Sequence, residues 1–308
     1  MASIQTQRNH ITLATKTLEA IENAIAADQG AAYRQHLQRV LPHMGDAYRG
    51  ADEGFRTHLG ASGIGKECGR AIWYGFRWFQ KAKFGGRILR LFNRGHLEEA
   101  RFIAILLTIG VQVYQQDEHG NQFRISDVGG HFGGSGDGVA INLPDLPQGV
   151  PALLEFKTHN DKSFQKLTQE GVRAAKFEHY VQMQMYMRKM GLGVALYGAV
   201  NKNDDALHFE IVQLDTATAD QFLDRARVIV LHQEPPKKLN ESAGWFGCRF
   251  CDYKPVCHLG AAPDLNCRTC AYSEPRDDGK WYCKQGAAEL TIGKERQLTG
   301  CEFYEVKK

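Results

Sequence analysis

The sequence predicts an α/β protein: a mixed central sheet flanked by helices, followed by a cysteine-rich C-terminal module that holds metal. Three observations predict it. Short runs rich in apolar and β-branched residues ("VQVYQ", "DGVAIN", "ALLEFK", "GVALYGAV" and "LHFEIVQ") read as strands between residues 111 and 213. Stretches with apolar residues at helical spacing precede, interrupt and follow them. Seven of the eight cysteines fall after residue 240, among turns and aromatics.

The elements follow in chain order. Leu13, Leu18, Ile21 and Ile25 recur at helical spacing, and Tyr33, Leu37, Val40, Leu41 and Met44 do so again, so residues 10 to 45 read as a helical hairpin broken at "DQG". Residues 68 to 106 read as mostly helical, interrupted at "KFGGR". The glycine-rich "DVGGHFGGSG" reads as a loop feeding the second strand. A helix, "KFEHYVQMQMYMRKMG", separates the third strand from the fourth, and its Met183, Met187 and Met190 are packing residues. "TADQFLDRARVIVLHQ" is a late helix. No repeat and no low-complexity run interrupts the pattern.

A chain of 308 residues, 43% hydrophobic and 24% charged, is ordinary for a globular protein of one large domain with appendages, or of two domains. Its net charge of +3 excludes a uniformly basic coat, so any surface for nucleic acid is local. The N-terminal segment carries no apolar signal region and no stretch approaches a membrane span, so the expectation is a cytoplasmic protein without a membrane partner. In that compartment eight cysteines point to metal ligation more than to disulfides.

The third strand, "PALLEFKTH", raises the functional question. Alternation puts Leu154 and Phe156 on one face and Glu155 and Lys157 on the other. The charged pair is either solvated, or a carboxylate and an ammonium held on a rigid edge for chemistry. Asp137 opens the preceding strand 18 positions before Glu155, and a hairpin through "PDLPQG" brings the two carboxylates together. Two carboxylates on adjacent strands make a hard-oxygen site for Mg2+ or Mn2+. Lys157, one pleat on, would orient or polarise a water attacking phosphorus, as in metal-assisted hydrolysis.

This arrangement resembles the PD-(D/E)XK nuclease superfamily, with Asp137, Glu155 and Lys157 as its acid, acid and lysine and "GD" in place of "PD". Two further motifs resemble its RecB-like branch. Upstream, "FNRGHLEEARF" resembles the branch's helical motif, which implies His96 as an additional metal ligand, with Glu99 the competing candidate. Downstream, "HYVQMQMYM" carries Gln182 and Tyr186 at i, i+4 on one helix face, where the family contacts DNA and buttresses the site. The resemblance covers residues 60 to 215 and implies a restriction-endonuclease-like core.

Cys248, Cys251 and Cys257 form a C-x2-C-x5-C run, and the only cysteine outside the C-terminal region, Cys68, can complete a four-thiolate set. One cysteine before and three after resembles the iron–sulfur nucleases of this branch, the AddB nuclease domain and CRISPR-associated nucleases, and implies a 4Fe–4S cluster on Cys68, Cys248, Cys251 and Cys257. The remaining Cys267, Cys270, Cys283 and Cys301, spaced C-x2-C-x12-C-x17-C, suit a structural Zn2+. A rival partition groups Cys248, Cys251, Cys267 and Cys270 as a zinc site and strands the other four. From Cys68 to Leu97 no acidic residue occurs, while Arg70, Arg77, Lys81, Lys83, Arg87, Arg90 and Arg94 offer charge for phosphates and the interleaved aromatics are mostly core.

The expected organisation is a helical region at 1–55, a RecB-like nuclease domain at 56–258 closed by the cluster, and a zinc module at 259–308. The expected function is a Mg2+- or Mn2+-dependent deoxyribonuclease, an exonuclease on single-stranded DNA or duplex ends. It would act with recombination or replication proteins in a bacterial or phage-infected cell, since many compact relatives are phage-encoded. The alternatives are a structure-specific or nicking endonuclease and a non-catalytic DNA-binding subunit with a nuclease-like fold. An iron–sulfur redox enzyme fits poorly, because the glycines of "GGHFGGSGDG" lead into a strand and not a helix N-terminus. Polarity, strand preference and oligomeric state are open.

Overall fold

The computed structural model describes residues 11–44, 56–81 and 83–307; residues 1–10 and 45–55 of the expected N-terminal helical region lie outside them. The chain forms two compact units, the first made of Met1–Gly50, Gly85–Phe123 and Ser135–Ala219, the second of Ala51–Phe84, Arg124–Gly134 and Asp220–Lys308.

The first unit contains helices α1 (Thr15–Asp28), α2 (Ala31–Val40), α3 (Gly86–Thr108), α4 (Asp161–Ala175) and α5 (Phe177–Met190). Its strands are β1 (Gln112–Tyr114), β2 (Gly138–Ile141), β3 (Pro151–His159), β4 (Val194–Asn201) and β5 (Leu207–Gln213), and they line up in that order in one sheet. β1–β2, β2–β3 and β4–β5 pair antiparallel, while β3–β4 pair parallel. A parallel pair needs a long crossover, and α4 and α5 supply it. The "DQG" break behaves as expected: the Asp28 carboxylate accepts the N–H groups of Gly30, Ala31 and Ala32, and Gln29 and Gly30 are left-handed.

Both faces of β3 are covered, so Ala152 to Phe156 are buried without interruption. Leu154 and Phe156 join a core with Phe102, Ile103 and Leu106 of α3 and with Leu196, Phe209 and Ile211 of the sheet. Phe102 lies flat on Phe156, ring centres 4.6 Å apart. Glu155, Lys157 and His159 point to the opposite face, which α5 covers. This is the mixed α/β core, a central sheet flanked by helices, expected from the sequence.

Two features differ from expectation. α4, "DKSFQKLTQEGVRAA", shows few apolar residues: Phe164, Leu167 and Val172 are buried, but Gly171 breaks the helical run with φ 74°. The buried Glu210 of β5 accepts the Val172 N–H at 2.8 Å, so a carboxylate from another strand repairs the kink. The "DVGGHFGGSG" loop contains a short strand, Phe132–Ser135. Gly133 is a glycine because a Cβ there would stand 2.7 Å from the Ile125 carbonyl oxygen.

The second unit contains the sheet Leu59–Gly60, Phe132–Ser135, Arg124–Asp127, the helix Gly69–Phe76, and the antiparallel sheet Leu290–Ile292, Trp281–Cys283, Ser273–Pro275. Trp73, Trp78 and Trp281 are buried with Arg77 and Arg268. Arg77 stacks on Trp73 and donates to the His232 carbonyl at 3.0 Å, so it braces this unit and offers nothing to phosphate. Arg70 is likewise tied to the carbonyls of Pro235 and Pro236. Of the expected groove lining, Lys81, Lys83, Arg87, Arg90 and Arg94 are exposed. Among the described residues no helix is long and apolar enough to cross a membrane.

Candidate active site

Gly138 opens β2 opposite Leu154 of β3, which puts Asp137 beside Glu155. The Asp137 Oδ2 accepts the Phe156 N–H at 2.7 Å. Glu155 is 0% exposed. Its Oε1 pairs with the Lys157 ammonium, and its Oε2 accepts from Gln182 Nε2 at 3.0 Å. Lys157 also donates to the Phe156 carbonyl. One turn along α5 from Gln182, the Tyr186 hydroxyl donates at 2.9 Å to the carbonyl of Ser135, two residues before Asp137. The fold thus brings Asp137, Glu155, Lys157, Gln182 and Tyr186 together, and Glu155 and Lys157 are not a solvated pair.

Charge is concentrated here. Burial, and then the neighbouring Glu155, push Asp137 well above the usual carboxylate range, with Lys157 opposing. Burial raises Glu155 against the pull of Lys157. Burial alone would depress Lys157, but Glu155 and Asp137 outweigh it and hold the ammonium charged. Glu99 acts on all three groups, and His96 lies 3.5 Å from Glu99. Glu99 therefore belongs electrostatically to the carboxylates.

Mutually repelling, desolvated carboxylates are what a hard dication would relieve, and Asp137, Glu155 and Glu99 are the donor types it takes. Among the described residues no three His, Cys, Asp or Glu side chains stand close enough together to hold an ion. Both Glu155 oxygens are already engaged, so an ion there would compete with Lys157.

Three residues beside the site escaped the sequence reading. His159, two positions after Lys157 on β3, has Nε2 3.0 Å from the Tyr197 hydroxyl and Nδ1 3.0 Å from Ser163 Oγ. His179 of α5 places Nδ1 2.9 Å from the same hydroxyl. The i, i+3 spacing of His179 and Gln182 was visible in the sequence; the place of Tyr197 follows only from the register, in which it pairs with Glu155.

All eight cysteines lie in the second unit, and none is paired in a disulfide. Cys68, Cys248, Cys251 and Cys257 line one pocket with Arg70, Tyr74 and Tyr253. Cys68 Sγ accepts the Ala71 N–H at the start of the helix Gly69–Phe76. Burial pushes the Cys251 and Cys257 thiols up, and the nearby Cys68 and Cys248 add to it. Cys267 is pushed up by burial and then by Cys301 and Cys270. Cys283 lies on a strand opposite Ser273. Cys68, Cys248, Cys251 and Cys257 thus share one neighbourhood, and Cys267, Cys270 and Cys301 share another.

No protein-family model and no curated protein matches the chain. Among solved structures it is similar to an alkaline exonuclease (LHK-Exo) from Laribacter hongkongensis, with 16% identity and TM-score 0.41 over 56% of this chain and 86% of that one. The same enzyme in complex with dAMP gives 15% identity, TM-score 0.40 and the same coverage. The protein SSO0001 is 14% identical, with TM-score 0.40 over 76% of this chain and 99% of its own. Likenesses this loose leave the functional reading to the side chains themselves.

Proposed function

We propose that the chain is a metal-dependent nuclease acting on DNA. One observation carries this: a buried carboxylate (Glu155) bonded at once to Lys157 and Gln182, with a second carboxylate (Asp137) fixed beside it by the next peptide N–H. A stability-driven core has no use for this arrangement, because burying charge costs more than an apolar pair would. It suits a site where a phosphodiester meets a dication and an ammonium.

Asp137 and Glu155 would hold Mg2+ or Mn2+, with Glu99, or His96 after a turn of its side chain, as a third ligand. When bound, the ion supplies charge stabilisation on the phosphate and a more acidic water. Lys157, released from Glu155, would orient that water or meet the charge developing on the phosphate. Gln182 and Tyr186 would keep α5 seated on the site. On α3 of the same unit, Arg87, Arg90 and Arg94 are exposed basic residues that would track the backbone. In the second unit, Cys68, Cys248, Cys251 and Cys257 would hold a 4Fe–4S cluster and Cys267, Cys270, Cys283 and Cys301 a Zn2+, both structural.

Within this reading we favour an exonuclease on single strands or duplex ends, working with recombination or replication proteins in the cytoplasm of a bacterial or phage-infected cell. End-labelled linear DNA and closed circular DNA, each incubated with protein and Mn2+, test it. Loss of end label with intact circles is the expected result. Nicked circles would establish an endonuclease, and binding without cleavage would establish a non-catalytic DNA-binding subunit.

A further inference from the structure

We infer that His179 is a further substrate-binding residue of this site: a neutral imidazole whose Nε2–H donates to a phosphate oxygen of the bound nucleic acid, with Tyr197 and His159 as positioning residues that fix its tautomer. The inference rests on the nuclease reading and deepens it.

α5 presents His179, Gln182 and Tyr186 at i, i+3 and i+7, one stripe along the helix. Gln182 holds Glu155, and Tyr186 holds the approach to Asp137. His179 continues the stripe by one turn and bonds to Tyr197, the register partner of Glu155. Behind it the chain of contacts runs from Tyr197 to His159 and on to Ser163, every link between 2.9 and 3.0 Å.

A phenol carries one proton, so Tyr197 donates to one imidazole and accepts from the other. With that proton placed between the two rings, the tautomers are coupled and two arrangements satisfy all three contacts. In the first, Ser163 donates to His159 Nδ1, His159 Nε2–H donates to Tyr197, and Tyr197 donates to His179 Nδ1. That leaves the His179 proton on Nε2. In the second, every bond reverses and Nε2 is bare. Ser163 lies in the first turn of α4, whose positive end favours a lone pair of His159, not an N–H, pointing toward it. The first arrangement follows.

Both rings stay neutral: burial, aided by Lys157 and other cations, pushes His159 down to about 4 and His179 to about 3. A neutral donor beside Lys157 adds a hydrogen bond to phosphate without a second repelling cation, a use of neutral imidazole known in other active sites. His159 is buried with both nitrogens engaged, whereas His179 is only half-buried. Among the described residues no group bonds the His179 Nε2.

The test uses the full chain labelled with 15N-histidine, free of divalent ion, and a phosphorothioate oligonucleotide as probe. The Nε2–H tautomer of His179 is expected, with a shift of that nitrogen on adding the probe and a mixture of tautomers in Tyr197→Phe. Affinity for the probe should fall about tenfold to a hundredfold in His179→Ala, the loss of one hydrogen bond to a charged group, and largely return in His179→Gln. An Nδ1–H tautomer, an unmoved nitrogen, or unchanged affinity in a folded His179→Ala protein overturns the inference. Should the wild type bind and shift His179 yet cleave no DNA with Mn2+, the nuclease reading falls while the phosphate contact stands. Should His179→Ala fail to fold, the wild-type tautomer and shift decide.

Discussion

Replacing Lys157 by methionine keeps the apolar stem of the side chain and deletes the charge that faces Glu155. Among the described residues, what remains on the fully buried Glu155 carboxylate is one neutral donor, Gln182 Nε2 at 3.0 Å. Breaking a buried ion pair from one side costs about 3–5 kcal/mol, because the surviving charge stays desolvated. The lower figure applies, since the Lys157 side chain keeps 28% of its exposure. About 3 kcal/mol is a large part of the ~5–15 kcal/mol that holds a domain together. The loss depends on pH. Glu155 already titrates above its usual range, and without Lys157 it climbs further. A carboxylate raised on folding contributes stability at low pH that disappears as pH rises through its folded value. Lys157→Met should therefore lie close to wild type near about pH 5 and about 3 kcal/mol below it near pH 8, in urea titrations of metal-free protein followed by circular dichroism. The double variant Glu155→Gln/Lys157→Met should recover most of the deficit, since no buried charge is left. Equal urea midpoints for Lys157→Met and wild type near about pH 8 would refute the reasoning and return Lys157 to the status of a solvated strand residue.

The His159 ring, 4% exposed, titrates at about 4 in place of its ordinary 6.5. A depressed histidine contributes stability above its unfolded value that is lost as pH falls toward the folded one, here about 3 kcal/mol between the two. His159→Gln should flatten that acid limb of the urea-midpoint profile, and an unchanged limb contradicts the assignment. Burial and Glu155 raise Asp137, and an ion would take its ionised carboxylate. Calorimetry of Mn2+ binding in two buffers of different ionisation enthalpy should therefore show proton release, reduced in Asp137→Asn. Anaerobically prepared protein should carry roughly four irons and roughly one zinc. Cys68→Ser should lose the iron and Cys283→Ser only the zinc; the reverse pattern would break the grouping of the cysteines.

The sheet was legible because its strands are short apolar runs whose pairing needs only hairpins and one crossover. Asp137, Glu155 and Lys157 were legible for the same reason, since alternation along β3 and one hairpin place them. α4 was not, because its amphipathic face rests on three residues and its kink at Gly171 is repaired by Glu210 from a strand 39 positions away. The short strand Phe132–Ser135 hid behind glycines chosen for close backbone approach, a property that local composition cannot separate from flexibility. Arg77 looked like a phosphate ligand and is buried on Trp73, because charge in a sequence carries no sign of which side of a helix it will occupy. The His159–Tyr197–His179 chain needed the β3–β4 register, which no local pattern reports.

The most direct test of the account is the cleavage of end-labelled DNA by purified wild type, Glu155→Gln and Lys157→Met, each with saturating Mn2+ and under single-turnover conditions. The wild type should degrade the substrate, and both variants should bind it with near wild-type affinity while losing orders of magnitude in rate. Wild-type rates in either variant, with the protein folded, would contradict the claim that Glu155 and Lys157 are the centre of a hydrolytic site.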